Sequence, residues 1–360
     1  MVILGSTGSI GTNSLKVAKN FDIGVEALSC NTNISLLNEQ ISKFKPKYAC
    51  VADESLRGEV RGVSKVFAGK SGLIEMLEVC KSKTVINSLV GFAGLAPSIH
   101  IQKLNKTLAL ANKESLVVAG KFLDTTKISP IDSEHFGLKF LLKNSPSIKS
   151  LVITASGGAF RDKDISELKN ATPADALKHP NWNMGAKITI DSATMANKLF
   201  EVMEAFWLFG VKNIDAVIEQ SSSIHALINF TDGSTTAHLS KTDMKLAIAH
   251  ALIPNLDMPI LEHFDLLKLP DIKFKEINLD KYPIFALKDE VVKNPDFGVI
   301  INAANEIFVS KFLNKKCKFT DIKPMIYESL AKFNSIKPKS LSEIYAIDKD
   351  VRNFASNLKI

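Results

Sequence analysis

Val2-Ile3-Leu4-Gly5-Ser6-Thr7-Gly8-Ser9-Ile10-Gly11 stands at the start of the chain, and its reading decides the fold. Three apolar residues make a strand, a glycine-rich turn follows at once, and Leu15, Val17 and Ala18 recur at helical spacing beyond it. A strand that feeds a helix through such a turn aims unpaired amide N–H groups and the positive end of the helix dipole at one point, which makes a cradle for an anion. The glycines let the backbone turn tightly and approach a pyrophosphate. The spacing is GxxGxxG, one position away from GxGxxG, so the pattern takes its meaning from its place after the first strand. A tight turn that only packs helix on strand is the competing reading.

Outward from this unit the chain alternates strands and helices. Strands are expected at 25–29, 48–51, 60–67, 84–87 and 107–111, as a parallel, doubly wound sheet requires. A nicotinamide enzyme selects its cofactor at the end of the second strand, in the loop Cys30-Asn31-Thr32-Asn33. No Asp or Glu stands there for a ribose hydroxyl, and no Arg or Lys for a phosphate. Ser29, Asn31, Thr32 and Asn33 offer neutral donors for a 2′-phosphate, which favours NADP. Gly91-Phe92-Ala93-Gly94 and Ala111-Asn112-Lys113-Glu114-Ser115 fall on the carboxyl edge, where such sheets bind ligands. Asn112 also suits a helix N-cap. Lys113, one residue into that helix, opposes the dipole unless an anion meets it.

Composition excludes several classes. The 360 residues are 46% hydrophobic and 23% charged, ordinary globular material with room for two or three domains. No run reaches the ~18 apolar residues of a membrane span, and Met1 leads into a strand with no basic region, so neither a membrane anchor nor a secretory signal is expected. The net charge of +7 is spread along the chain without a basic, aromatic-laced run, which argues against nucleic acid and for attraction of a phosphorylated metabolite. Cys30, Cys50, Cys80 and Cys317 form no CxxC pair, so reduced thiols in a cytoplasm are expected and a structural zinc is not.

Ile128-Ser129-Pro130-Ile131-Asp132-Ser133-Glu134-His135 reads as a strand running out into a polar loop. In an extended segment Asp132 and Glu134, two apart, aim their carboxylates at one spot while Ser133 faces elsewhere. Two such charges suit a hard cation, Mg²⁺ or Mn²⁺, better than zinc. The alternative is a solvated loop in which Asp132 or Ser133 caps the next helix. A strand at 151–154 runs into Ala155-Ser156-Gly157-Gly158, and the polar stretch 161–186, which contains Trp182 and Met184, reads as a lid. Lys187-Ile188-Thr189-Ile190 reads as a strand, followed by a helix capped by Asp191 or Ser192 and running to Gly210. On that helix Thr194, Asn197, Lys198 and Glu201 share a polar wedge with Glu204, so spacing leaves open which glutamate would meet a metal. An ordinary surface face with a Lys198–Glu201 pair is the plainer reading.

Taken together, Gly5 to Gly11, Ala111 to Ser115, Asp132-Ser133-Glu134-His135, Ser156-Gly157-Gly158, His179-Pro180-Asn181-Trp182, Asp191 to Glu201 and Asn302-Ala303-Ala304-Asn305-Glu306 resemble the 1-deoxy-D-xylulose 5-phosphate reductoisomerase family in order and spacing, over nearly the whole chain. The resemblance implies an NADPH-dependent enzyme of the non-mevalonate isoprenoid route. It would rearrange 1-deoxy-D-xylulose 5-phosphate, a small sugar phosphate, and reduce the product to 2-C-methyl-D-erythritol 4-phosphate. It implies Asp132, Glu134 and Glu201 as ligands of Mg²⁺ or Mn²⁺, which selects Glu201 over Glu204. It implies Ser156, Ser192, Asn197 and Lys198 around the phosphate, and Lys113, Ser133, Glu134, His179, Trp182 and Glu201 around the substrate. Lys113, Glu134 and His179 are its candidates for moving protons. Thr7, Gly8, Ser9, Ile10, Asn31, Thr32, Asn33, Asn112, Glu114 and Gly185 match its nucleotide-contacting positions, and homodimerisation is its expected assembly. Thr32 departs from a basic residue common in relatives; Ala159, and Glu219 before Gln220, stand where prolines are common.

The expected fold is α/β, with an N-terminal Rossmann-like parallel sheet (1–131), a central α/β catalytic domain with a mixed sheet (132–258, lid about 157–186), a linker (259–285) and a C-terminal helical domain (286–360). Strands are expected at 216–218, 224–230 and 234–239, with Asp232-Gly233 as a hairpin turn, and the clearest C-terminal helix at 302–313. Two rivals remain. One is another NADP-dependent dehydrogenase, for which Tyr345 to Lys349 supplies a YxxxK spacing; the other is an NADP-binding sensor whose carboxylates are only structural.

Overall fold

The computed structural model describes residues 1–143, 147–269 and 271–358. Residue 270 of the expected linker and residues 359 and 360 of the C-terminal segment lie outside the described residues. The chain begins β1 (Val2–Leu4), α1 (Ser9–Asn20), β2 (Ala27–Cys30), α2 (Ile34–Phe44), β3 (Tyr48–Val51), β4 (Lys65–Ala68), α3 (Gly69–Val79), β5 (Thr84–Asn87), α4 (Leu95–Lys103), β6 (Thr107–Leu110), α5 (Lys113–Ala119) and β7 (Ile128–Pro130). It continues α6 (Ser133–Leu141), β8 (Ile148–Ala155), α7 (Pro173–Ala176), α8 (Ala186–Thr194), α9 (Ala196–Phe209), β9 (Ile214–Glu219), β10 (Ile224–Phe230), β11 (Thr235–Leu239) and α10 (Lys245–Leu252). It ends β12 (Phe274–Lys275), α11 (Lys288–Lys293), α12 (Phe297–Leu313), α13 (Ile322–Phe333) and α14 (Leu341–Asn357).

Seven parallel strands form the first sheet in the order β4-β3-β2-β1-β5-β6-β7. The winding reverses at β1, which lies between β2 and β5, so the turn at Gly5 stands at the switch point where open sheets of this kind bind ligands. Val2, Ile3 and Leu4 are wholly buried, as a parallel strand covered on both faces must be. Ile3, Leu28, Leu37, Ile41 and Ile86 form the core on one side of this sheet, together with Ile248 and Ala249 of α10.

The second sheet has the order β11-β10-β8-β9-β12 and is mixed: β8 and β9 are parallel and the other pairs antiparallel. The hairpin at Asp232-Gly233 closes with the Phe230 N–H donating to the Ser234 carbonyl at 2.9 Å. In the C-terminal part α13 and α14 pack on α12, whose Val299, Ile300, Ala303, Ala304 and Phe308 are buried on several sides.

The contacts group residues into two compact units, one of 1–112, 123–133 and 243–262, the other of 113–122, 134–242 and 263 onward. This interleaving differs from a single cut after residue 131. Helix α10 packs on α1, β6 and β7, whereas α5 packs on α9 and α12. The expected linker also carries structure: β12 pairs with β9, and the buried Tyr282 donates its hydroxyl to the Gly157 carbonyl at 2.8 Å.

Three local expectations are corrected. The strand expected at 60–67 is confined to β4, because the chain before it turns through Gly62 at φ +78°. Residues 187–190 are helical, in α8. Their apolar alternation is overridden by the i, i+4 pair of Lys187 and Asp191, 2.8 Å apart, a spacing that only a helix closes. The helix expected from 191 to 210 is therefore two helices, α8 and α9, separated at Met195 with φ +61°.

Candidate active site

The turn after β1 is held by main chain and hydroxyls. Gly5, at φ +83°, donates its N–H to Ser29 Oγ at 3.0 Å, and the buried Ser6 hydroxyl donates to Gln40 at 2.7 Å. A Cβ at Gly11 would lie 2.3 Å from the Gly5 carbonyl oxygen, so only glycine lets α1 approach the turn this closely. Gly8 stands at the N-cap of the 12-residue α1 and, having no side chain, brings no acceptor of its own to the helix N-terminus. Gly8 and Ser9 are exposed; Thr7 and Ile10 are half-buried. Beyond β2, Asn31, Thr32 and Asn33 are exposed, and Asn33 caps α2 by accepting the Leu36 N–H at 3.2 Å. Asn112 donates its amide to the Leu89 and Gly91 carbonyls, each at 2.8 Å, and so braces the loop after β5.

Asp132 immediately precedes α6 and Glu134 lies in its first turn, where the dipole favours a carboxylate. The extended geometry expected for 132–134 is therefore replaced by a helix start. Asp132 stays beside Glu134 through two peptide bonds, and the carboxylates of Asp132, Glu134 and Glu201 offer oxygens within 4.8 Å of one another. Glu201 projects from α9, whose polar wedge is not a surface face: Lys198 is 3% exposed, Glu201 1% and Glu204 1%. Lys198 Nζ donates to Glu134 at 2.9 Å and also pairs with Glu201. Lys113 Nζ, from the first turn of α5, donates to Glu201 and to Asn197, each at 2.8 Å. The anion that Lys113 requires at a helix N-terminus is thus Glu201. Burial opposes the charge on Lys198, yet Glu134 and Glu201 outweigh it and raise its pKa above the ordinary lysine value.

Glu204 has a different partner. It faces His135 Nδ1 at 3.2 Å, and the other ring nitrogen of His135 meets the Glu201 main-chain carbonyl at 2.9 Å. The two glutamates that spacing leaves open have different neighbours: Glu201 joins the lysines and Glu134, and Glu204 joins His135. Asp132, His135 and Glu204 form a second group of ligand atoms within 4.8 Å. The donor set of Asp132, Glu134 and Glu201 is all oxygen and densely negative, already drawing two ammonium groups, so it fits a hard divalent cation.

The stretch expected as a lid carries a short helical turn at Ile165–Asn170, α7, and the approach to α8. His179 Nδ1 accepts the N–H groups of Asn181 and Trp182 at 3.2 and 3.0 Å. The proton of neutral His179 therefore resides on Nε2, which donates to Ser156 Oγ at 2.9 Å. Burial, then the charge of Arg161, lowers the His179 pKa to about 4. Arg161 braces the same loop by donating to the Ser156 and Gln220 carbonyls. Next to Gln220, Glu219 accepts the N–H groups of Ser221, Ser223 and Ile224, so a carboxylate stiffens the turn that lacks proline. Trp182 and Ser192 are half-buried and Gly185 is exposed at the N-cap of α8.

Sequence reading overlooked a buried relay in this region. Lys187 pairs with Glu114 of α5 at 2.6 Å and with Asp191 at 2.8 Å, and Asn305 of α12 donates to Asp191 at 2.7 Å. Glu114, expected at the nucleotide, commits one oxygen to Lys187. The available signal was the Lys187/Asp191 spacing itself.

The comparisons agree throughout the chain. Family profiles described as 1-deoxy-D-xylulose 5-phosphate reductoisomerase, its C-terminal domain, and DXP reductoisomerase C-terminal domain match residues 1–120, 128–209 and 239–354. The 1-deoxy-D-xylulose 5-phosphate reductoisomerase of Campylobacter hominis is 63% identical over 99% of this chain and 98% of its own. The chain belongs to the 1-deoxy-D-xylulose 5-phosphate reductoisomerase family. The Campylobacter curvus member is 61% identical over 98% of each chain. Among solved structures, DOX-P reductoisomerase in complex with NADPH, fosmidomycin and magnesium superposes with a TM-score of 0.92 at 34% identity, covering 99% of this chain and 97% of that one. The reductoisomerase from Zymomonas mobilis in complex with NADPH gives 0.88 at 33% identity, over 99% and 97%. The α/β fold with a parallel sheet, a mixed sheet and a helical C-terminal region is that of the family.

Proposed function

We propose that this chain converts 1-deoxy-D-xylulose 5-phosphate into 2-C-methyl-D-erythritol 4-phosphate, with NADPH and Mg²⁺ or Mn²⁺, as an isomerising oxidoreductase of isoprenoid synthesis. The observation that carries the reading is the convergence of Asp132, Glu134 and Glu201 in a chain of this family. When bound, the cation supplies Lewis-acid polarisation of the substrate's carbonyl and neighbouring hydroxyl, and NADPH supplies the hydride.

The protein's own groups bind and orient. Asp132, Glu134 and Glu201 hold the cation. Ser156, Ser192, Asn197 and Lys198 hold the phosphate, an inert handle whose binding energy helps to close the 157–186 lid. Lys113, Ser133 and Trp182 line the sugar. Lys113, Glu134 and His179 handle protons; the neutral ring of His179, with its proton on Nε2, offers a hydrogen bond to oxygen that gains charge, since giving up that proton would leave an imidazolate. Thr7, Gly8, Ser9, Ile10, Asn31, Thr32, Asn33, Asn112, Glu114 and Gly185 contact the nucleotide, with its pyrophosphate at the N-terminus of α1.

The division into a nucleotide-binding part (1–131), a catalytic part (132–258), a linker (259–285) and a C-terminal helical part (286–360) belongs to the same reading. So do a homodimer and a cytoplasmic setting. The place of β11 at the end of its sheet supports the homodimer and the four free cysteines support the setting; among the described residues no helix is long and apolar enough to cross a membrane. Steady-state NADPH oxidation with the ketose phosphate, with and without Mg²⁺, tests the function. Turnover that requires the metal supports it; NADPH binding without such turnover returns the chain to the sensor reading. Light scattering that gives a single chain mass would overturn the homodimer.

A further inference from the structure

Asn302-Ala303-Ala304-Asn305-Glu306 lies on α12 and has no role in the binding or proton transfer placed above, yet it contains two wholly buried amides. Asn305 spends its amide in one direction. Its Nδ2 donates to Asp191 Oδ1 at 2.7 Å, while its own Oδ1 has no hydrogen-bond partner among the described residues. A buried amide with an idle acceptor carries a desolvation cost, so the gain at this position lies in the donor.

What the donor fixes is Asp191, and through it a chain of charges. Asp191 Oδ2 meets Lys187 Nζ at 2.8 Å, and that ammonium meets Glu114 Oε1 at 2.6 Å. Lys187 lies 5.2 Å from the centroid of the Phe200 ring, one residue before Glu201 on α9. Glu114 is the residue after Lys113 in the first turn of α5, and Lys113 Nζ reaches Glu201 and Asn197 at 2.8 Å. Four helices, α12, α8, α5 and α9, are thereby joined by charged or charge-assisted contacts in a largely buried interior. Such contacts are short and directional, so within the close-packed interior they fix the register in which the helices meet.

We infer that Asn305 and Lys187 are positioning residues: the relay Asn305–Asp191–Lys187–Glu114 sets the first turn of α5 so that the Lys113 ammonium meets Glu201 with its carboxylate oriented toward Asp132 and Glu134. The inference rests on the proposed function for its catalytic consequence, but the arrangement of Glu201 is measurable without catalysis. The relay acts on the carboxylate cluster as an outer shell acts on metal ligands, where loss of a supporting partner costs about 10- to 100-fold in affinity or activity.

The test compares Asn305→Ala with Ile326→Ala, a cavity variant of the buried Ile326 on α13, a helix that contributes no residue to the relay. Alanine keeps α12 helical, and Asp191 retains Lys187, so Asn305→Ala is the mild way to cut the chain. Mn²⁺ binding is read by electron paramagnetic resonance in the absence of substrate, alongside melting temperature and kcat. The expected result is about tenfold weaker Mn²⁺ binding and a comparable fall in kcat for Asn305→Ala. Ile326→Ala should lose at least as much melting temperature and change neither. Equal Mn²⁺ affinity in the two variants overturns the relay. A wild-type chain that binds Mn²⁺ but does not oxidise NADPH with the ketose phosphate overturns the proposed function, and the Mn²⁺ comparison still decides the relay.

Discussion

The turn after β1 and the buried face of α9 are the two places proposed to receive charge, and they are made of opposite materials. Between Gly5 and Gly11 no side chain is charged; the donors are main-chain N–H groups, and their placement depends on glycines that admit a close approach. On α9 the backbone is spent on its own helix, and charge is carried by Lys198 and Glu201 with Glu134 and Lys113 brought in from two other helices. The first site is a shape that happens to be polar. The second is a balance of charges that holds a shape, and each kind should fail in its own way.

Glu201→Gln should produce the largest effect. It keeps the volume but removes one anion from a cluster that holds two ammonium groups, and metal-dependent turnover should fall by more than the roughly 100-fold typical of outer-shell partners. NADPH affinity, followed by fluorescence, should stay at its wild-type value; a parallel loss of both would remove Glu201 from the metal site. Gly11→Ala is the counterpart at the other site. Its Cβ would lie 2.3 Å from the Gly5 carbonyl oxygen and 2.5 Å from the Ser6 Cα, contacts that main chain cannot yield cheaply. Strain of this kind costs about 1–3 kcal/mol, so NADPH binding should weaken by about tenfold while Mn²⁺ binding is unchanged. An alanine variant with wild-type NADPH affinity would show that the cradle does not depend on that approach.

The same contrast governs what the sequence discloses. The β1 turn is local: strand, glycines and helix follow one another within 20 residues, and the hairpin at Asp232-Gly233 is local too. The α9 cluster was legible only as a helix face with too many candidates, because the neighbour that separates Glu201 from Glu204 is Lys113 for one and His135 for the other, far away in the chain. Asp132 and Glu134 converge for a reason other than strand alternation, since α6 begins at Ser133. The misreading of 187–190 has a related cause. Ile188 and Ile190 alternate with Lys187, Thr189 and Asp191 as in a strand, and the burial of Thr189, Ile190 and Ala193 with the Lys187–Asp191 pair makes them a helix. Asn305 lies 114 residues from the Asp191 it serves, a partnership no spacing rule exposes.

Cofactor choice sharpens the comparison from the side of the neutral site. Without a charge at Thr32, discrimination rests on hydrogen bonds from an exposed loop, so NADPH should be preferred to NADH only modestly in kcat/KM. Thr32→Arg should widen the ratio by about tenfold, the worth of one charge-assisted hydrogen bond of about 1.5 kcal/mol or a little more. A wild-type preference for NADH would reverse the assignment of the cofactor.

The smallest effect concerns His179, where burial acts without a compensating carboxylate. Its pKa falls from 6.5 to about 4, with burial first among the causes and Arg161 second. The unfolded chain therefore takes up a proton as pH drops below about 6.5 while the folded chain refuses it until about pH 4. This group's share of stability is intact above that interval and is lost progressively as pH falls across it. His179→Gln cannot titrate, so its melting temperature should decline less steeply than that of the wild type between those limits and run parallel to it above them. Lys198 provides the contrast, because there Glu134 and Glu201 outweigh burial and keep the charge in place. Melting curves that run parallel through the whole interval would mean that protonated His179 is as well accommodated in the folded chain as in water, and burial beside Arg161 would not then be what keeps its ring neutral.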